Sequence, residues 1–168
     1  TLRDWKIYII EPEAATNLCT NPSVETAVAG YYSGTNCTVT QSSEQARRGK
    51  YSAKGVPTGA DTSAYIYTTV VATAVSHTFS VDLYGVAGVN YTVQIQNTGG
   101  TVIASTAVIG NGHWQRVSVT GTLTAASYNF IVERNASQNT TAAFYADGWL
   151  VKVGPDNNYF DGDSVDRH

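Results

Sequence analysis

Short β-type runs separated by turn signals occupy most of this chain, and no helical pattern lies between them. Glycine- and asparagine-rich turns lie at 85–90, 97–100 and 110–112. The clearest runs cover Ala64 to Val70, His77 to Tyr84, Tyr91 to Gln96, Val102 to Val108, Gln115 to Thr120, Tyr128 to Glu133 and Phe144 to Val153. This spacing predicts an all-β fold, an antiparallel β-sandwich of the jelly-roll type.

Length and charge narrow the classes of protein. A chain of 168 residues is long enough for one domain with a sizeable core. The net charge is −3 and the only basic cluster is at 47–50. The chain therefore lacks the basic patch that binding to nucleic acid requires. The sequence contains no run of eighteen apolar residues of the kind that would predict a membrane-spanning helix. We predict an N-terminal strand or linker at 1–16, the sandwich domain at 17–154 and an acidic C-terminal tail or linker at 155–168.

The two cysteines, Cys19 and Cys37, lack the paired spacing of a structural zinc site. A disulfide between them and two separate buried thiols fit the sequence equally well.

Alternation within the strands assigns side chains to faces. In the run from His77 to Tyr84 the apolar residues leave Asp82 and Tyr84 on the other face, and in the run from Tyr91 to Gln96 they leave Gln94 and Gln96. Glu133 joins this polar set by the same pattern, although Ile131 makes the pattern of its strand ambiguous. We predict that these residues share one wettable face of the sandwich.

Four motifs carry a resemblance to a known family. Asn17 to Glu25 is similar to the N-L-x-x-N-P-S-F-E opening of carbohydrate-binding-module-like jelly rolls of the family 4/9 and family 22 type. Arg48 to Lys54 resembles the Gly-x-Tyr-Ser strand, Trp114 to Thr120 the Trp-Gln-Arg-Val strand, and Phe144 to Val153 the closing strand with its central Asp147. The chain departs from the family at Val24, where an aromatic residue is usual.

The resemblance implies a non-catalytic module that binds a glycan or polysaccharide. Tyrosine rings suit the flat faces of sugars, and amides or carboxylates suit their hydroxyl groups. Tyrosines on strands also serve in ordinary sheet packing, which is the alternative for each one. The predicted ligand face bears Asp82, Tyr84, Gln94, Gln96 and Glu133, with rim subsites at Tyr31, Tyr32, Tyr65 and Tyr67.

The resemblance also implies a structural calcium ion. The first and last strands of an antiparallel sandwich commonly lie side by side, so Glu25 and Asp147 could meet on one hard cation. Carbonyls near Arg48 and Lys50 would complete the shell. The alternative is that Glu25 caps a turn and Asp147 accepts backbone N–H groups.

Catalysis has little support in the sequence. No G-x-S-x-G or H-E-x-x-H motif is present. A glycosidase needs two carboxylates with different environments, and nothing distinguishes Asp82 and Glu133 in this way. We therefore predict that the domain is not an enzyme.

The segment from Asn158 to Ser164 resembles the P-Y-F-D-G-D segment that follows such modules in bacteriophage tail proteins. This resemblance implies a virion-surface or extracellular location, adhesion to host glycans, and contacts with other virion domains or subunits. The alternatives are a structural or assembly domain of a virion without glycan binding, and the binding module of a secreted glycoside hydrolase.

Overall fold

The computed structural model describes residues 15–155 and 158–160, and within them it contains ten strands and no membrane-spanning helix. The strands are β1 (Tyr31–Ser33), β2 (Cys37–Ser42), β3 (Ser52–Pro57), β4 (Ala64–Ala72), β5 (Ser76–Tyr84), β6 (Asn90–Asn97), β7 (Val102–Ile109), β8 (Trp114–Thr122), β9 (Ala126–Arg134) and β10 (Phe144–Val153). They form two five-stranded antiparallel sheets. The predicted all-β sandwich is confirmed. Most of the predicted N-terminal strand and acidic tail lies outside the described residues, so the domain bounds stay a prediction.

Sheet I has the strand order β1-β4-β9-β6-β7, and sheet II has the order β2-β3-β10-β5-β8. The apolar residues that alternation assigned to one side are the core between them. Phe79 on β5 and Ile95 on β6 are fully buried. The ring of Phe79 lies 5.5 Å from Phe130 and 5.6 Å from Trp149, centre to centre. Trp149 is itself fully buried.

The opening motif closes the sandwich beside the last strand. The amide of Leu18 donates to the carbonyl of Val151 at 2.8 Å, and that of Trp149 donates to Pro22 at 2.9 Å. The side chain of Asn17 donates to the carbonyl of Trp149 and accepts from the amide of Val151. Asn17 thus joins the opening motif to β10 by side-chain hydrogen bonds.

The predicted single polar face is wrong. Asp82 and Tyr84 lie on β5 in sheet II, whereas Gln94 and Gln96 lie on β6 in sheet I. All four point away from the core, but from opposite sides of the sandwich. Alternation separates inward from outward side chains along a strand. It carries no information on which sheet the strand joins.

Of the two alternatives for the cysteines, the structure has the separate thiols, because Cys19 and Cys37 are both free and buried. Burial raises the pKa of the Cys19 thiol to about 12 and that of the Cys37 thiol to about 11. Both thiols therefore stay protonated at neutral pH and pack as small apolar side chains.

Candidate ligand-binding face

The outward side of sheet I, called the open face from here on, presents its side chains in rows that cross the strands. Direct pairing across β4, β9, β6 and β7 defines these rows. One row contains Tyr65, Glu133, Thr92 and Ala107; the next contains Tyr32, Tyr67, Ile131, Gln94 and Ser105; a third contains Thr69, Asn129 and Gln96. The structure thus brings together six of the predicted ligand residues: Tyr32, Tyr65, Tyr67, Gln94, Gln96 and Glu133.

Three tyrosines form a continuous aromatic patch at the β1–β4 side of the open face. The ring of Tyr67 lies 5.4 Å from that of Tyr32 and 6.0 Å from that of Tyr65, centre to centre. Tyr32 is 53% exposed, and the other two are half-buried. The ring of Tyr65 takes the space that a side chain at position 34 would fill, because a Cβ on Gly34 would clash with it. Glycine at this position therefore lets the ring lie against the sheet.

Polar groups lie next to the rings, in the middle of the sheet. The side-chain amide of Gln94 donates to Oε2 of Glu133 at 2.9 Å. Gln94 is only 6% exposed and Ile131 only 3%, although both point away from the core. Burial raises the pKa of Glu133, and hydrogen bonds from Ser63 and Gln94 oppose this rise. The open face thus contains an apolar floor at Ile131 with a fixed amide–carboxylate pair beside it.

Tyr31 does not belong to this patch, so its prediction as a rim subsite is wrong. It precedes Tyr32 by one position and therefore points the other way, into the core. Its side chain is 5% exposed, its ring lies 4.9 Å from that of Trp149, and its hydroxyl donates to the carbonyl of Asn21 at 2.8 Å.

The outward side of sheet II, called the covered face from here on, holds Asp82 in a network of charges. Oδ2 of Asp82 accepts from Nε of Arg48 at 3.0 Å and lies 3.4 Å from Nη1 of Arg116. The ring of Tyr159 packs against both guanidinium groups, at 4.7 Å from Arg48 and 5.5 Å from Arg116. Asp82 is 2% exposed, which leaves it little access to a ligand.

Tyr84 lies at the end of the covered face in a row of aromatic rings. Its ring centre is 5.6 Å from that of Trp114 and 5.9 Å from that of Tyr145, both edge to face. The hydroxyl of Tyr145 donates to Glu44 at 2.6 Å. Rings that meet edge to face pack with one another across strands, so Tyr84 has a structural role here.

The two carboxylates predicted to share calcium hold one turn by its backbone. Oδ2 of Asp147 accepts from the amides of Arg47 and Arg48 at 2.7 and 2.6 Å. Oε1 of Glu25 accepts from the amides of Lys50 and Tyr51 at 2.8 and 2.9 Å. These contacts match the alternative in which Glu25 caps a turn and Asp147 accepts backbone N–H groups. Calcium bound by Glu25, Asp147 and the carbonyls near Arg48 and Lys50 stays a prediction.

No cluster of three or more histidine, cysteine, aspartate or glutamate side chains suited to a metal occurs among the residues that the structure describes. The alternation of the strands already places Thr92 and Asn129 on a polar face, and the open face contains both. The sequence did not assign Ile131 to that face. Ile131 interrupts the alternation of its strand. That interruption was the available signal, because it marks an apolar residue on an otherwise polar face.

Solved structures share this fold. The chain matches a family 61 carbohydrate-binding module in complex with β-1,4-galactotriose, with a TM-score of 0.64 and 16% identity, over 82% of this chain and 99% of that one. It matches the C-terminal family 22 carbohydrate-binding module of Clostridium thermocellum Xyn10B with a TM-score of 0.60 and 16% identity, over 79% and 90%. The fold is that of a carbohydrate-binding-module jelly roll.

The same jelly roll occurs inside larger proteins. The chain matches the enzymatically active domain of tailspike protein 4 of bacteriophage CBA120 with a TM-score of 0.62 and 9% identity, over 82% of this chain and 21% of that one. It spans 26% of an α-L-arabinofuranosidase chain that it also matches. No protein-family model and no curated protein matches the sequence. These likenesses establish the fold.

Proposed function

We propose that the domain is a non-catalytic module that binds a glycan on its open face. The observation that carries this proposal is the aromatic patch of Tyr32, Tyr65 and Tyr67 beside the hydrogen-bonded pair of Gln94 and Glu133. Both features lie on the outward side of sheet I.

The rings supply the apolar part of sugar recognition. A pyranose ring presents C–H groups on its faces, and these stack against aromatic rings. Tyr32 and Tyr67 are tilted by 33° to one another at 5.4 Å, so together they form a shallow curved platform rather than a flat one. Their phenolic hydroxyl groups lie at the edge of such a platform, where they can reach the sugar hydroxyls.

The Gln94–Glu133 pair supplies the directional part. Each sugar hydroxyl is both a donor and an acceptor, and planar amides and carboxylates satisfy both capacities. Because Gln94 and Glu133 hold one another, their remaining lone pairs are fixed in direction before the ligand arrives. Preorganised polar groups of this kind lower the entropy that binding costs.

The open face does not have the parts of a glycosidase. Hydrolysis of a glycosidic bond uses two carboxyl groups that flank it. Glu133 is the one carboxylate among the outward strand residues that the structure describes on sheet I, and Asp82 lies on the opposite side of the sandwich. We therefore propose binding without catalysis, as in the matched family 22 and family 61 modules.

A binding titration with matched variants tests this proposal. The purified protein is titrated calorimetrically with β-1,4-galacto-oligosaccharides and β-1,4-xylo-oligosaccharides. Tyr67→Ala is expected to weaken binding by roughly 1–3 kcal/mol, in line with other ring-stacking contacts. Tyr84→Ala is the control, because it removes a tyrosine from the other sheet and should leave affinity unchanged. Equal losses in both variants, or undiminished binding by Tyr67→Ala, would contradict the proposal.

The finer hypothesis is that the module belongs to a phage virion protein and attaches the particle to host glycans at the cell surface. The resemblance of 158–164 to a tail-protein segment and the tailspike match support it. Labelled protein is then expected to bind whole host cells, and Tyr67→Ala is expected to bind them poorly. Cell binding that Tyr67→Ala leaves intact would favour the alternative, an assembly domain without glycan binding. Release of reducing sugars from the bound polysaccharide would instead favour an enzyme.

A further inference from the structure

A groove lies at one end of the open face, beyond the residues already assigned to the glycan. Its volume is about 480 Å³, within the range of small-ligand pockets. It is lined by Asn90, Tyr91, Ala107, Val108, Ile109, Asn135, Ala136 and Gln138.

The groove continues a row of the open face. Ala107 lies opposite Thr92, and Thr92 lies opposite Glu133, so the groove begins about 10 Å from Glu133, which is two strand spacings. The hydroxyl of Thr92 donates to Oδ1 of Asn135 at 2.9 Å, which joins the wall of the groove to the same row. A chain that crosses the strands from the tyrosine patch over Glu133 therefore runs into the groove.

The composition of the groove suits a sugar. Ile109 is 62% exposed and provides an apolar floor together with Ala107. Asn90, Asn135 and Gln138 provide three side-chain amides around that floor. Within 15–155 and 158–160, Oδ1 of Asn90 and Nδ2 of Asn135 have no hydrogen-bond partner, so an acceptor and a donor are free for hydroxyl groups.

The wall of the groove is held in place. Oε1 of Gln138 accepts from the backbone amide of Asn90 at 2.7 Å and from its side chain at 3.3 Å, while Nε2 donates to Ala136 at 2.8 Å. Ser137 and Asn139 on either side have positive φ values of 58° and 53°. Two left-handed residues in one short turn are unfavourable unless the surroundings fix them, and such turns cluster at ligand sites.

We propose that this groove is a second subsite, which takes a further sugar unit of the glycan bound at the tyrosine patch. This inference rests on the proposed function. It makes the preferred ligand an oligosaccharide long enough to reach from Tyr67 to Ile109, and it predicts that shorter fragments of the same glycan bind more weakly.

A length series tests the groove. β-1,4-galacto- and β-1,4-xylo-oligosaccharides of increasing length, from the disaccharide upward, are titrated into the wild-type protein and into Ile109→Asn and Gln138→Ala. Both variants are expected to lose about tenfold in affinity for the longest oligomers and to bind the shortest as the wild type does. Val71→Asn is the control, because Val71 is a 73% exposed apolar residue near the other end of the same face. It should bind all lengths normally.

The outcomes separate the two proposals. If affinity rises with oligosaccharide length to the same extent in the wild-type protein and in Ile109→Asn, the groove is not a subsite. That result would leave the proposal for the tyrosine patch intact. Equal loss for short and long oligomers in Ile109→Asn and Gln138→Ala would also overturn it, because a general structural defect acts on every length. Failure of the wild-type protein to bind either series would overturn the proposed function and this inference with it.

Discussion

The two outward faces of the sandwich are built by the same alternation of side chains, yet they have opposite relations to solvent. On the open face Tyr32 is 53% exposed and Tyr65, Tyr67 and Glu133 are half-buried, while Gln94 between them is 6% exposed. On the covered face Asp82 is 2% exposed, Asp147 is fully buried and Lys152 is 6% exposed. Residues 43–51 and Tyr159 lie over the covered face and remove it from water.

The comparison shows that charge on a sheet surface does not by itself mark a ligand site. The acidic groups of the covered face are all matched from within the chain, Asp82 by two arginines and Asp147 by three backbone amides. A buried charge without partners would be very unfavourable, so these partners stabilise the covering segment. The open face differs because hydrogen-bond donors and acceptors that the fold does not use lie beside exposed aromatic rings.

The largest expected effect concerns the loops beside the open face. Arg134 points inward from β9 and donates to the carbonyls of Gly59, Ala60, Thr62 and Thr140. Arg134→Met should lower the free energy of unfolding by about 3 kcal/mol, because these carbonyls lose a charged donor. Urea denaturation measures it. Arg134→Lys keeps the positive charge but lacks the planar guanidinium group, so its free energy of unfolding should lie between those of the wild-type protein and Arg134→Met. A loss below about 1 kcal/mol in the Met variant would show that the loops hold without the arginine.

The next effect concerns the covered face and pH. Burial raises the pKa of Asp147 from 3.8 to about 6, against the opposing effect of its amide hydrogen bonds. The folded state thus binds a proton more readily than the unfolded state, so the contribution of Asp147 to stability falls as pH rises through the window from about 4 to 6. The fall is at most about 3 kcal/mol.

Asp147→Asn isolates this contribution because asparagine does not titrate. Unfolding free energies of both proteins are measured at pH 4 and pH 7. The wild-type protein should lose stability relative to the variant between these values. A constant difference between the two proteins would show that the pKa of Asp147 is the same in the folded and unfolded states, and hence that water reaches this carboxylate on the covered face.

The smallest expected effect is that of metal removal. Because Glu25 and Asp147 accept amide N–H groups, excess chelator should leave the melting temperature unchanged. Differential scanning calorimetry with and without added calcium measures this. A drop on chelation that calcium reverses would establish the calcium site, since a ligand that binds only the folded state stabilises it.

The sequence predicted the fold much better than the site. The run from Phe144 to Val153 coincides with β10, and that from Val102 to Val108 with all but one residue of β7, because period-two alternation and turn residues act locally. The family-like motif around Asn17 is equally informative about the fold, since its side chain joins the chain ends through β10.

The site could not be assembled in this way because it depends on strand order. Asp82 and Gln94 follow the same local pattern, but β5 and β6 join different sheets. Covering is also non-local: Asp147 is buried by amides 99 and 100 positions away in the chain. Tyr31 shows a third limit. A shift of one position along a strand turns a side chain to the other face, so the sequence of a short strand does not show which of two adjacent tyrosines faces the core.

Backbone amide NMR during a glycan titration tests the central claim most directly. We expect β-1,4-galacto- or β-1,4-xylo-oligosaccharides to shift the amide signals of β4, β6 and β9 around Tyr67, Gln94 and Glu133. The amide signals around Asp82 and Asp147 on the covered face should stay in place. Shifts centred on β5 and β10, with the open face unchanged, would contradict that claim.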